Sequence, residues 1–111
     1  MKPHWILVAN DMQARLLQQE PGAPMVPVQF SGCTGRLHFA RDIAECLEAG
    51  ACSDAYAWVS VYAPSPFLGE LRQLFGPGTR RLLAGVHDVD LSTLAIAEIE
   101  NRMRQEHRRA H

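Results

Sequence analysis

Trp5-Ile6-Leu7-Val8-Ala9 is an unbroken apolar run close to the start of the chain, and it constrains the fold more than any other segment. Successive side chains of a strand point to opposite faces, so a strand with no polar residue needs cover on both sides. A sheet with helices packed on each face supplies that cover. The run is too short for a bilayer span of about 20 residues or for a signal-peptide core of about 7–15. With 111 residues, 47% of them apolar in type and 21% charged, the chain has the make-up of one globular domain, expected over residues 1–111.

The remaining segments alternate between two hydrophobic periods. Asn10-Asp11-Met12-Gln13 reads as a turn, Ala14 to Gln19 as a second strand, and Pro21-Gly22 as another turn. Met25 to Phe30 alternates as a third strand, which Pro27, having no amide hydrogen, assigns to a sheet edge. Beyond Ser31-Gly32-Cys33-Thr34-Gly35 the period becomes helical: Leu37, Ala40, Ile43, Ala44 and Leu47 share a stripe, with Gly50 placed as a left-handed terminator. Ala57 to Ala63 is a fourth strand, rich in β-formers, with Trp58 as well as Trp5 expected in the core. Ser65 suits an N-cap and Pro66 a first helical position, opening a helix that buries Phe67, Leu68, Leu71, Leu74 and Phe75 and ends at Gly76-Pro77-Gly78.

Arg81 to Val89 reads as a fifth strand, with Gly85 marking a bulge or a close backbone approach. Leu94 to Arg109 reads as a closing helix with Ile96, Ile99 and Met103 inward and its acids ahead of its arginines, in the sense the helix dipole favours. The predicted architecture is a single α/β domain, a five-stranded mixed sheet in the order β-β-β-α-β-α-β-α. That arrangement matches a ribonuclease-H-like fold.

Specific blocks of residues point to a family. Trp5 to Asn10, Ala14-Arg15-Leu16-Leu17, Phe39-Ala40-Arg41, Ala63-Pro64-Ser65-Pro66-Phe67-Leu68-Gly69-Glu70-Leu71-Arg72 and Asp90-Leu91-Ser92-Thr93-Leu94 follow one another in one order. Together they resemble the bacterial host attachment proteins, described as required for attachment to host cells. Members of that family are similar to the middle domain of archaeal and eukaryotic peptide release factors. The resemblance implies a loop before the first helix corresponding to their Gly-Gly-Gln hydrolytic loop. Aligned on Phe39-Ala40-Arg41, that loop is Gly32-Cys33-Thr34 here, so threonine stands where the glutamine would organise water. The Ser-Pro pair common before the last helix of the family is Ala95-Ile96 in this chain, which leaves the helix cap to Asp90, Ser92 or Thr93.

These readings lead to a non-catalytic binding module without a cofactor. Its working surface comprises Gly32, Cys33, Thr34, Gly35 and Arg36 with Arg80 and Arg81, and its partner is a ribosome, an RNA or a protein. A net charge of −1 argues against indiscriminate nucleic-acid binding and leaves room for a local basic patch. The enzymatic alternative is a metal-dependent nuclease or phosphoesterase using Asp11, Asp42 and Asp88, because such enzymes hold paired divalent ions with carboxylates. A third reading takes the family description literally, as a factor contributing to attachment to host cells. The five histidines are dispersed, with no metal-binding spacing. Three cysteines without a CxxC pair suggest free thiols and a cytoplasmic location.

Overall fold

The computed structural model describes residues 2–10, 12–20, 22–28, 39–91 and 94–109, with the side chains of 39 and 104–109 outside that description. Nine elements follow in order: β1 (His4–Ala9), β2 (Ala14–Gln19), β3 (Val26–Pro27), α1 (Phe39–Cys52), β4 (Trp58–Tyr62), α2 (Phe67–Leu74), α3 (Pro77–Leu82), β5 (Leu83–His87) and α4 (Ile96–Arg109). They form one α/β domain around a mixed sheet of strand order β3-β2-β1-β4-β5. β1 pairs antiparallel with β2 and parallel with β4, and β4 pairs parallel with β5. Pro27 lies on the edge strand, as its missing donor requires.

The two-sided burial of β1 is borne out. Trp5, Leu7 and Ala9 enter a core with Ile43, Leu47 and Ala51 of α1 and Phe67, Leu68 and Leu71 of α2. Ile6 and Val8 enter a second core with Leu17, Tyr62, Leu91 and Ile99, against which Ile96 and Met103 of α4 also pack. Each apolar face of the central strand thus removes its surface from water against a different helical layer.

Several expectations need correction. The expected order lacked α3: Gly76-Pro77-Gly78 does not simply end a helix but starts another, with Gly76 at its N-cap and Pro77 in its first turn. Proline fits there because the first helical N–H has no intrahelical partner. The fifth strand therefore starts at Leu83, not Arg81, and its register skips Ala84, so the irregularity falls beside Gly85. Gly50 is not a terminator. It is buried inside α1, which runs on to Cys52, while Asp54 takes the positive φ of 59°.

Pro66, not Ser65, is the N-cap of α2, and the Ser65–Pro66 bond is cis. Leu74 is exposed. The ordered third strand is only Val26–Pro27, while Gln29 and Phe30 lie outside the described residues. Trp58, expected in the core, is 57% exposed.

Candidate functional site

The parallel strands β1, β4 and β5 finish at the same end of the sheet, where open α/β sheets commonly place their sites. Asn10 follows β1, and its Oδ1 accepts from the backbone N–H groups of Met12 and Gln13, both at 2.8 Å. This is the expected side-chain turn. The Asn10 amide also donates to Asp90 Oδ2 at 3.0 Å, joining the turn after β1 to the segment after β5. After β4, Ser65 binds Asp88 twice: its N–H donates to Oδ1 at 2.9 Å and its hydroxyl to Oδ2 at 2.7 Å. These bonds, the hydroxyl's foremost, hold the Asp88 carboxyl below its usual range.

Of the three carboxylates considered as metal ligands, Asp88 is therefore bound through both oxygens to Ser65, and Asp42 lies in the first turn of α1. Asp11 lies outside the described residues. Among the described residues no three His, Cys, Asp or Glu side chains gather into a group that could hold a metal ion. No helix among them is long and apolar enough to cross a membrane.

Gly32, Cys33, Thr34, Gly35 and Arg36 also lie outside the described residues. The two arginines associated with that loop have different surroundings. Arg80 donates through Nε to the Phe75 carbonyl at 2.9 Å and through Nη2 to the Arg72 carbonyl at 2.7 Å. Its guanidinium thus satisfies carbonyls at the end of α2, which the helix itself leaves without partners. Arg81 is exposed, and its positive charge acts on the nearby Cys52 thiol.

Sequence reasoning missed the group that holds α3 in place. Glu48, on α1, accepts from Gly78 N–H at 3.2 Å and from the N–H and hydroxyl of Thr79 at 3.0 and 3.1 Å. A carboxylate from one helix thereby caps the N-terminus of another. The Thr79 and Gly78 bonds pull the Glu48 carboxyl below its ordinary range against the opposing effect of burial, while its bond to Cys52 pushes that thiol up. A Cβ at Gly76 would lie 2.5 Å from Glu48 Oε1 and one at Gly78 2.9 Å from Oε2, so a side chain at either position would push the capping carboxylate aside.

A second missed feature lies at the opposite end of the sheet. Register places Gln19, His4 and Trp58 side by side on β2, β1 and β4. With Lys2, Glu20 and Ala57 they line a groove of about 600 Å³. His4 Nε2 lies 2.8 Å from the Ser60 hydroxyl, and Lys2 pairs with Asp54 at 3.2 Å.

The profile of one family, described as "Protein required for attachment to host cells", matches residues 34–103, more than half of the chain. The chain belongs to this family. The match takes in α1, β4, α2, α3, β5 and the first half of α4, and so includes Glu48, Ser65, Arg80, Arg81 and Asp88. The first three strands, and with them Lys2, His4, Gln19 and Glu20, precede the part of this host-attachment chain that the profile covers. Among curated proteins nothing matches the chain.

Proposed function

We propose that this member of the host-attachment family is a non-catalytic binding module, with a direct contribution to attachment to host cells as the alternative reading. The observation that carries the reading is the engagement of Asp88. With both oxygens bound by Ser65 and its carboxyl held in the charged form, Asp88 is a weak base near neutral pH and a latch between the segments after β4 and β5. Asn10 and Asp90 make a second tie beside it, so the polar groups at this end of the sheet brace loops against one another.

The working surface in this reading comprises Gly32, Cys33, Thr34, Gly35 and Arg36 with Arg80 and Arg81, both exposed, Arg80 also bracing the end of α2. Its partner is a ribosome, an RNA or a protein, and its location is cytoplasmic. A ribonuclease-H-like fold, similar to the release-factor middle domain, is part of the same proposal. The strand order β3-β2-β1-β4-β5, with β1, β4 and β5 parallel, supports it.

Co-sedimentation with purified ribosomes at low and high salt tests the binding claim, using the unaltered chain and Arg81→Ala. Binding that weakens with salt and with the substitution is expected. No co-sedimentation at low salt removes the ribosome from the reading. Nucleic-acid cleavage stimulated by Mg²⁺ or Mn²⁺, with thermal stabilisation by the same ion, overturns the non-catalytic assignment.

A further inference from the structure

We infer that the groove at the amino-terminal ends of β1 and β4 binds an organic cation, a guanidinium or alkylammonium group, between the indole of Trp58 and the carboxylate of Glu20. The inference is independent of the ribosome-facing surface proposed above.

Trp58 is 57% exposed, whereas the next four residues of β4 are buried at 6% exposure or less. Alternation puts Trp58 on the same sheet face as Ser60 and Tyr62. On that face the core of Ile6, Val8, Tyr62 and Ile99 lies farther along β1 and β4 than His4 and Trp58. The indole is therefore a large apolar surface left in water at the mouth of a concavity, where an isolated Trp would ordinarily be covered.

The surrounding side chains are held in place. His4 lies between Gln19 and Trp58 in the register and is fixed by its contact with the Ser60 hydroxyl. Gln19 donates to the Ala23 carbonyl at 3.3 Å, and Ala23 N–H donates to the Glu20 carbonyl at 3.0 Å. The turn bearing Glu20 is thus tied to the end of β2, with Gly22 supplying its positive φ of 78°. At about 600 Å³ the groove is within the size range of small-ligand sites, about 300–1,000 Å³.

Charge selects the ligand. The ammonium of Lys2 is neutralised within the chain by Asp54, whereas Glu20 makes no ion pair among the described residues. Among the described residues the groove thus offers a carboxylate without an ion pair beside an aromatic face. A cation gains from both, and tryptophan is the strongest of the aromatic partners.

Titration with N-acetyl-arginine methylamide, tetramethylammonium and the neutral isostere N-acetyl-citrulline methylamide tests the inference. The signals are indole fluorescence and calorimetry at low salt. With Trp5 buried, Trp58 is the solvent-facing reporter. Saturable millimolar binding of one or both cations is expected, with citrulline weaker by about fivefold or more. Glu20→Gln should weaken the cation by about threefold, and Trp58→Leu, followed by calorimetry, should remove measurable binding. Preference for the arginine compound assigns the groove to an arginine side chain, and preference for tetramethylammonium to a small quaternary amine. Equal binding of citrulline, an unchanged affinity in Glu20→Gln, or no saturable binding of either cation overturns the inference.

Discussion

Replacing Gly50 by alanine sets two known effects against each other. Within a helix, glycine costs about 1 kcal/mol relative to alanine, so propensity alone predicts that Gly50→Ala stabilises α1. The added methyl, however, would lie 2.8 and 2.9 Å from Cζ3 and Cη2 of Trp5 and 3.0 Å from Cε1 of Tyr56. Neither ring can yield cheaply. Both are buried, their centroids are 4.6 Å apart, and the Tyr56 hydroxyl donates to the Leu47 carbonyl at 2.8 Å. Overpacking of this kind costs about 1–3 kcal/mol, so the net expectation is a loss of about 1 kcal/mol, or about 4 °C in Tm for a domain of this size. Urea and thermal unfolding followed by circular dichroism measure it.

The decisive comparison repeats Gly50→Ala in a Trp5→Phe background. Phenylalanine lacks the two clashing atoms, and the change also removes the indole N–H, which is buried without a hydrogen-bond partner among the described residues. In that background the loss from Gly50→Ala should shrink by about 1 kcal/mol, the 3.0 Å contact with Tyr56 still opposing the gain in helix propensity. If Gly50→Ala is stabilising in the unaltered chain, or equally destabilising in both backgrounds, the packing account is wrong.

Glu48→Gln should destabilise the domain at neutral pH, because an amide offers one acceptor oxygen where the carboxylate uses two. A carboxyl whose folded pKa is lowered contributes stability in full above its unfolded value of about 4.3 and loses it as pH falls through the folded value. The gap between Glu48→Gln and the unaltered chain in Tm measured from pH 7 to pH 2 should therefore close on acidification, and a gap independent of pH would refute the trans-cap. Arg80→Ala should cost about 1 kcal/mol by freeing the Arg72 and Phe75 carbonyls, whereas exposed Arg81→Ala should stay within about 0.5 kcal/mol in the same unfolding assay.

The last helix shows how a local pattern can be right while its cap is not. Ile96, Ile99 and Met103 face the core as their spacing requires. Yet Asp90, one of the expected caps, is engaged with Asn10, while Ser92 and Thr93 lie outside the described residues. Instead Glu98 reaches back to accept from the Ala95 N–H at 3.1 Å, half of a capping box without a hydroxyl residue at the N-cap. Of the candidate binding surface only Arg80 and Arg81, and of the alternative carboxylate set only Asp42 and Asp88, fall within the described residues. Their sequence surroundings do not reveal that Arg80 and Asp88 are already bound to groups elsewhere in the chain.

By itself the sequence determined the layered α/β plan: an unbroken apolar strand demands cover on both faces, a proline excludes β3 from the sheet interior, and helical spacing marks the inward stripes. These are properties of neighbouring residues, set by backbone geometry and the need to remove apolar surface from water. Tertiary structure alone decided which polar groups are already committed and which apolar ones are left bare. Ser65 meets Asp88 across 23 residues, Glu48 meets Gly78 across 30, and Trp58 stays in water at the head of a strand otherwise buried. A hydrogen bond or a covered ring depends on separations of a few ångströms between distant segments, and no local pattern in the chain encodes those separations.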